Sequence, residues 1–254
     1  MDTSKDIHYH DSIAAEYDKV VLEPRELATQ SLFSPALRRL ARHAPFAQML
    51  DVGCGTGHMV LRAGRLAHKI TGIDHSPGML QIAQQRAEAI GLGRAQFIER
   101  DVASFLDQSP DFADLTTAVG VLHHLGVENL DRVLASIFRT TRPGGWVLLA
   151  EPVADGPIEE PEAIQQWNRK SLAASRHYES SAPDPDEAPL PPALLRNAIT
   201  AAGFVPVIER RRWEIYNHSA SPGFIERLQI ERLQRRHAGT GFIYACLARK
   251  PSLA

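Results

Sequence analysis

An apolar strand that turns into a helix over three glycines constrains this chain more than any other feature. Residues 49–52 read as the end of a short strand, residues 53–57 read Gly-Cys-Gly-Thr-Gly, and an apolar-periodic helix begins at Met59. Glycine tolerates positive φ angles and has no Cβ, so a ligand can lie directly against this backbone. The first amides of the helix point towards such a ligand. The pattern therefore predicts a ligand site at the turn, although the glycines could also serve only to pack the helix against the sheet.

Two carboxylates near the turn narrow the class of ligand. A second strand, predicted over residues 69–74, ends in Asp74, at the position where a doubly wound sheet places the acid that binds both ribose hydroxyls. The glycines lack the Gly-x-Gly-x-x-Gly spacing of dinucleotide-binding proteins. Asp51 lies two residues before Gly53, where it would repel a pyrophosphate and suits a cationic or amino-bearing ligand. The sequence therefore disfavours NAD.

Two segments around these carboxylates carry a family pattern. They read Leu-Asp-Val-Gly-Cys-Gly-Thr-Gly at residues 50–57 and Gly-Ile-Asp-His-Ser-Pro-Gly-Met-Leu at residues 72–80. Both resemble the class I S-adenosylmethionine-dependent methyltransferases, and the resemblance covers about residues 49–152. It implies a Rossmann-like, doubly wound α/β fold with a seven-stranded, mostly parallel sheet and an antiparallel hairpin at one edge. It also implies S-adenosylmethionine as the cofactor, S-adenosylhomocysteine as the product and a small-molecule acceptor.

The resemblance gives cofactor-binding roles to individual residues. The glycine turn is expected to run under the methionine moiety and the ribose, and Asp74 to bind the ribose hydroxyls. Asp101 matches the position that accepts from the adenine amine, or it caps the following helix, and the two roles are compatible. Tyr17 matches a lid tyrosine near the methionine carboxylate, with Tyr9 as a second candidate, or it is a core residue of an amphipathic helix. The full expected set is Tyr17, Asp51, Gly53, Cys54, Gly55, Thr56, Gly57, Asp74, His75, Met79, Asp101, Val102, Val119 and Gly120.

Alternating strands and helices extend the pattern along the chain. Further strands are predicted at residues 96–100, 114–120 and 146–151, and a tight turn at residues 142–145 precedes the last of them. Helices are predicted at residues 26–43, 59–68 and 77–90. Elements of this length imply right-handed crossovers and a parallel sheet, with the ligand at the carboxyl ends of the strands.

One methyltransferase domain with additions fits the length of 254 residues. Its predicted parts are an N-terminal helical lid (1–44), a cofactor-binding core (45–152), a cap insertion (153–192) and a C-terminal part (193–254). The lid starts with a helix or helix pair at residues 7–20, and the cap holds a helix near residues 160–176 and a mobile loop. The C-terminal part holds a helix at 193–202, strands at 204–216 and 241–249, and an inserted helix within residues 217–240. The apolar residues of the inserted helix are Phe224, Ile225, Leu228, Ile230 and Leu233.

The residues after the fourth strand are the candidates for catalysis. Methyl transfer from a sulfonium is an in-line displacement, so the protein mainly aligns the donor and the acceptor. His123 and His124 lie where a base would be needed, and imidazole titrates near neutral pH, although either ring could instead pack or cap. Other possible bases are Glu151, His177, Tyr178 and His218. An apolar acceptor pocket could be lined by Trp167, Trp213, Tyr216 and Phe224, which could equally belong to the core.

Composition and charge narrow the possible partners. A formal net charge of −2 gives no general attraction to nucleic acid or to an anionic membrane. The arginines at residues 210–212 are interleaved with acids and read as a solvated charged surface, and the Pro-Pro motif of base methyltransferases is missing after the fourth strand. Two cysteines cannot build a disulfide framework or a zinc site, and no apolar run has the length of a membrane span. We therefore expect a cytoplasmic monomer or homodimer that acts on a small metabolite or natural product without a metal.

The acceptor atom and two other functions remain open. The residues do not decide between O-, N- and C-methylation. An RNA or protein methyltransferase would show a basic surface that continues into the mouth of the pocket. A protein that binds S-adenosylmethionine without transferring its methyl group would have a cavity too small for an acceptor.

Overall fold

Seven strands form the sheet that organises the described part of the chain, which comprises residues 3–156, 159–174 and 188–252 of the computed structural model. The strands are β1 (Phe46–Val52), β2 (Ala67–Asp74), β3 (Gln96–Glu99), β4 (Ala113–Val119), β5 (Thr141–Pro152), β6 (Val205–Arg212) and β7 (Ile243–Arg249). They lie in the order β3-β2-β1-β4-β5-β7-β6, and β7 runs in the direction opposite to the other six strands. The predicted doubly wound, mixed sheet with an antiparallel hairpin at one edge is confirmed.

Helices cover both faces of this sheet. They are α1 (Thr3–Tyr17), α2 (Glu26–Ala41), α3 (His58–Ala63), α4 (Pro77–Ala89), α5 (Val102–Asp107), α6 (Leu130–Thr140), α7 (Glu162–Ala174), α8 (Pro192–Ala201) and α9 (Phe224–Arg236). The predicted helix at residues 7–20 starts earlier than expected and changes to a π-helical turn, Asp18–Leu22, after Tyr17. Among the helices of the described ranges, none is long and apolar enough to cross a bilayer.

Apolar side chains bury the central strands on both faces, as β5 illustrates. Val147 and Leu149 pack in a cluster with residues of α5, α6 and α8, whereas Trp146 and Leu148 pack in a second cluster with residues of α2 and α3. Because successive side chains point to opposite faces, a strand covered on both faces reads as a continuous apolar run. The carboxyl ends of β1, β2 and β4 then meet at one edge of the sheet, where the connecting loops bring the candidate site together.

Two local predictions near the core are corrected by the structure. The helix after the glycine turn ends at Ala63, and residues 67 and 68 already belong to β2. A Cβ added to Gly64 would lie 3.0 Å from both Ile70 and Leu92, so the chain packs tightly against β2 at this point and turns into it. The predicted turn at residues 142–145 is a bulge inside β5, because Ala113 pairs with Thr141 whereas Leu115 pairs with Trp146.

The strand predicted over residues 204–216 is wrong beyond Arg212, where β6 ends. Trp213 fits the alternating apolar pattern of a strand, but its main chain forms hydrogen bonds with a side chain of α9 and not with β7. Its amide donates to Oε1 of Gln234 at 3.1 Å, and Nε2 of Gln234 donates to the Trp213 carbonyl at 2.6 Å. A buried side-chain amide thus replaces the neighbouring strand, and a sequence pattern gives no sign of such a replacement.

The predicted apolar residues of α9 differ in their burial. Ile230 is buried and Leu233 is partly buried, but Phe224 is 75% exposed, and Ile225 and Leu228 are also exposed. In the cap, α7 falls within the predicted range of 160–176. The predicted mobile loop lies mostly in residues 175–187, which are outside the described residues.

Candidate functional site

The three glycines of the turn have different surroundings. Gly53, Gly55 and Gly57 all have positive φ angles, of +61°, +49° and +81°. A Cβ added to Gly53 would lie 2.3 Å from Cγ2 of Val121, and one added to Gly57 would lie 3.2 Å from Cβ of Ala83. At Gly55 an added Cβ would meet no atom of the described residues within 4 Å. Gly53 and Gly57 therefore serve packing, whereas Gly55 exposes bare backbone to open space.

Asp74 faces this open backbone from the end of β2. Its Oδ2 accepts from the Gly55 amide at 2.8 Å, and its Oδ1 accepts from the Ser76 amide at 3.0 Å. Each carboxylate oxygen has two lone pairs, so Asp74 has acceptor capacity for further donors. Gly120, after β4, has a φ angle of +67° and leaves a second open position, with no described atom within 4 Å of an added Cβ. These features fit an adenosyl ligand: two stretches of bare backbone and a carboxylate that can accept from ribose hydroxyls.

Asp51 is buried in β1 just before the turn. Its side chain is 2% exposed, and Oδ1 accepts from Oγ1 of Thr117 at 2.5 Å. The buried Oδ2 has no hydrogen-bond partner among the described residues. Burial raises the pKa of Asp51 to about 7, and the nearby Asp74 acts in the same direction. Near neutral pH, Asp51 is therefore divided between its neutral and charged forms, so its suitability for a cationic ligand depends on pH.

The raised pKa gives a testable pH dependence of stability. The unfolded state releases the Asp51 proton near the ordinary pKa of 3.8, whereas the folded state keeps it up to about pH 7. Between these values the folded state binds more protons, so its stability falls as pH rises, by at most about 1.4 kcal/mol per pH unit. Relative to Asp51→Asn, the wild type should therefore lose unfolding free energy from about pH 4 to about pH 7 and no more above that. Denaturant titrations across this range measure the difference, and a constant difference would contradict the pKa.

Two carboxylates of the N-terminal segment attach it to the glycine turn and to α4. Asp18 accepts from Oγ1 of Thr56 at 2.6 Å and pairs with Arg86 at 2.7 Å, while Arg86 also donates to the Thr56 carbonyl at 2.9 Å. Asp11 accepts from Oγ of Ser76 at 2.5 Å and from the Gly78 amide at 3.0 Å, at the start of α4. The buried Thr56 side chain thus binds the lid. Sequence reasoning missed both aspartates because no local motif marks them.

The surroundings of the other expected cofactor residues vary. Met79 is buried in a cluster with Ile13 and Ala14 of α1, and Tyr9 and Tyr17 pack against that cluster. Asp101 caps α5 by accepting from the Ser104 amide at 2.8 Å, which confirms the capping role, and its adenine role stays a prediction. His75 and Val119 are partly buried, and Val102 and Cys54 are buried. Burial raises the pKa of the Cys54 thiol well above its ordinary value, so this thiol stays protonated.

The two candidate histidines follow β4 and differ in their surroundings. Nδ1 of His123 lies 2.7 Å from Oε2 of the buried Glu151 at the end of β5. The His124 ring lies 4.1 Å from the His123 ring, measured between centroids, and 5.3 Å from the ring of His10 on α1. His10 was not expected at the site, because it lies far away in the sequence and reaches His124 only through the docking of α1.

Glu151 fixes both the histidine and the turn that carries it. Its Oε1 accepts from the amides of Val121 and Leu122 at 3.1 and 2.9 Å, and its Oε2 also faces the His123 amide at 3.4 Å. A carboxylate at Nδ1 favours the tautomer in which Nε2 is the proton acceptor, and it stabilises the imidazolium that forms after proton transfer. Glu151 is therefore a positioning residue for His123.

The remaining candidate base and pocket residues differ in their surroundings. His218 stacks against Trp167 with ring centroids 4.0 Å apart, and its Nδ1 lies 3.3 Å from Oγ of Ser171. Trp213 is buried in a core cluster, so the core alternative holds for it, whereas Phe224 is exposed. His177 and Tyr178 lie outside the described residues.

Comparison with known proteins agrees with this geometry. A family model described as a methyltransferase domain matches residues 49–145. A ubiquinone biosynthesis O-methyltransferase of Paracidovorax citrulli is 33% identical over 103 residues, which are 41% of this chain and 42% of the relative. An O-methyltransferase of Pyrenophora dematioidea is 30% identical over 148 residues, which are 58% of this chain and 54% of the relative. The chain thus spans about half or less of the length of these relatives.

Solved structures share the fold over nearly the whole chain. The DhpI–SAH complex superposes with a TM-score of 0.59 and 19% identity, covering 98% of this chain and 96% of that one. The [4+2]-cyclase SpnF gives a TM-score of 0.58 and 20% identity, covering 95% and 96%. These solved structures share the Rossmann-like fold of this chain. Residues 49–145 match the methyltransferase domain family.

Proposed function

We propose that this chain transfers the methyl group of S-adenosylmethionine to a small-molecule acceptor and releases S-adenosylhomocysteine. The observation that carries the proposal is the open backbone at Gly55, which faces Asp74 where β1 and β2 end. The matched domain and the named O-methyltransferases among the relatives support it.

The residues around the turn have separate roles in this proposal. Asp74 binds the ribose hydroxyls, Asp101 accepts from the adenine amine, and Tyr17 lies near the methionine carboxylate. The bare backbone at Gly55 and Gly120 gives the ligand room. When bound, S-adenosylmethionine supplies an electrophilic methyl group on a sulfonium, and the protein holds the acceptor in line with it.

We further propose that the acceptor atom is an oxygen and that His123 takes its proton. Nε2 of His123 accepts the hydroxyl proton as the carbon–oxygen bond forms, and the carboxylate of Glu151 stabilises the resulting imidazolium through Nδ1. The names of the two O-methyltransferase relatives support oxygen over nitrogen or carbon.

The partners follow from the same site. The proposed acceptor is a metabolite or natural product enclosed by α1, the cap and the segment around α9. The net charge of −2 supports a small molecule over a nucleic acid. A cytoplasmic location, no membrane association and a monomeric or homodimeric state belong to this proposal.

Asp74→Ala should weaken the binding of S-adenosylhomocysteine by about 1–3 kcal/mol, because it removes charge-assisted hydrogen bonds to the ribose. Calorimetric titration measures the change. Glu99→Ala, at the exposed end of the neighbouring strand β3, is the matched control and should bind normally. Because Asp74 also holds the Gly55 amide, thermal unfolding must show that the variant is folded. Unchanged affinity in a folded variant would remove Asp74 from the ribose role.

Methyl-labelled S-adenosylmethionine tests the activity itself. Incubation with fractions of a cell extract should yield a labelled small molecule together with S-adenosylhomocysteine. Label in RNA or protein alone would favour a macromolecular acceptor. Tight cofactor binding without turnover on any fraction would favour a protein that does not transfer methyl.

A further inference from the structure

A buried arginine, Arg212, lies at the end of β6. Arg212 is 5% exposed, and its buried Nε has no hydrogen-bond acceptor among the described residues. The interpretation of residues 210–212 as a solvated surface is therefore wrong for Arg212. A buried charge costs free energy unless another group compensates it. A bound ligand could supply the compensating group for Arg212.

The charges around Arg212 leave the region positive. Arg210 shares its face of β6, and Glu231 and Arg235 act on it from α9. Glu231 is already paired with Arg235, whose Nε lies 3.0 Å from its Oε1. Burial lowers the pKa of Arg212, Arg210 and Arg235 act in the same direction, and Glu231 opposes them. Three guanidinium groups therefore share one carboxylate, in a chain whose overall charge is negative.

The position of Arg212 places it at the edge of the sheet that carries the candidate site. β6 runs parallel to β1, β4 and β5, because the antiparallel β7 lies between β5 and β6. Arg212 pairs with Ile243, which in turn pairs with Pro152, the residue after Glu151. Two strand spacings put the Arg212 backbone about 10 Å from the end of β5.

The alternation of side chains along β6 shows which face of the sheet carries Arg212. Side chains alternate along a strand, so Arg212 and Arg210 share a face with Ile208. Ile208 packs against the cluster that contains residues of α2. Arg212 thus lies on the face of the sheet that α2 covers, and Glu231 and Arg235 act on it from α9, which belongs to the segment that the proposed function places over the acceptor.

We propose that Arg212 is the anion-binding residue of an acceptor subsite and takes one carboxylate or phosphate group. A guanidinium presents parallel N–H donors that match the oxygens of either group, and a low-dielectric setting strengthens the contact. The subsite rests on the proposed function: the acceptor would carry its reacting hydroxyl near His123 and its anionic group at Arg212.

Anion binding can be tested without cofactor or acceptor. At constant ionic strength set with sodium chloride, inorganic phosphate or benzoate should raise the thermal midpoint of the wild type. Arg212→Met should lose this response, and without anion it should unfold at the same or a higher temperature than the wild type, since an unpaired buried charge is removed. Arg212→Lys keeps the charge but loses the guanidinium fork, so it should retain part of the response.

Arg236→Met is the matched control, because it removes an exposed arginine from α9. It should respond to both anions as the wild type does. The proposal would be overturned if phosphate and benzoate raised the thermal midpoint of the wild type no more than sodium chloride does. A full response to these anions in Arg212→Met would also overturn it. A clear loss of stability in Arg212→Met without anion would show a structural arginine and would overturn it as well.

A second experiment tests whether the anion that Arg212 binds is a free ion or an anionic group of the methyl acceptor. A cell extract is divided by anion exchange into retained and unretained pools, and each is incubated with methyl-labelled S-adenosylmethionine. Label should enter a product of the retained pool, and Arg212→Met should raise the KM for that acceptor about tenfold or more without changing the affinity for S-adenosylhomocysteine. Label only in products of the unretained pool would overturn the acceptor subsite. No label in any pool, with the anion response intact, would instead contradict the proposed function.

Discussion

Gly55→Val should abolish the binding of S-adenosylmethionine and S-adenosylhomocysteine while the protein keeps its fold. A side chain at this position would meet no described protein atom within 4 Å, so valine would project into the open space above the turn. The proposed ligand occupies that space, and the clash is then with the ligand. We expect a loss of about 3 kcal/mol or more, which is more than about a hundredfold in Kd. Calorimetric titration with S-adenosylhomocysteine measures it.

Gly91→Val is the matched control for this substitution. Gly91 has a φ angle of +76°, and a Cβ added there would also meet no described atom within 4 Å. It lies just after α4, away from the turn, so valine brings a similar backbone strain of about 1–2 kcal/mol without touching the ligand site. Normal affinity in Gly91→Val and none in Gly55→Val is the expected pair of results. Equal affinity in the two variants would show that the open space does not hold the ligand.

His123→Ala should cause the largest loss of turnover at the site. If His123 takes the acceptor proton, its removal should lower kcat by about 10²–10⁴-fold and leave the affinity for S-adenosylhomocysteine nearly unchanged. Its Nδ1 contact with Glu151 at 2.7 Å distinguishes it from a ring that merely packs. Single-turnover rates and calorimetric titration measure the two quantities separately.

Glu151→Gln is the companion to that variant. Glutamine keeps an acceptor for the amides of Val121 and Leu122 but removes the negative charge beside the imidazole. Without the carboxylate the imidazolium is less stable, so the rising limb of the pH–rate profile should move to lower pH. A greater loss in His124→Ala than in His123→Ala would transfer the base to His124. Unaltered rates in both would assign the histidines a packing role.

The cofactor side of the molecule was predictable because its signals are local. The glycine turn, Asp74 at the end of β2 and the Ser76 cap of α4 lie within about one βα unit, where spacing alone indicates geometry. Apolar runs predicted the buried strands for the same reason. The fold class and the sheet arrangement followed from these local patterns and the family resemblance.

Contacts between distant segments could not be predicted in this way. Asp11 and His10 reach the site only because α1 docks beside α4, and Asp18, in the π-helical turn after α1, reaches the glycine turn. Glu151 was a candidate base, whereas the structure shows it holding His123 and its turn. Phe224 was named as an apolar residue of α9 and a candidate pocket residue, but the sequence does not reveal which side of a helix its neighbours cover, and this side chain is exposed.

Titration of the full chain with S-adenosylhomocysteine and, separately, with NADH tests the central claim most directly. The glycine turn lacks the dinucleotide spacing, Asp51 precedes it and Asp74 faces its open backbone. It should therefore bind S-adenosylhomocysteine saturably and show no binding of NADH. Binding of NADH, or no binding of S-adenosylhomocysteine by the folded protein, would contradict the assignment of this turn as the seat of an adenosyl cofactor.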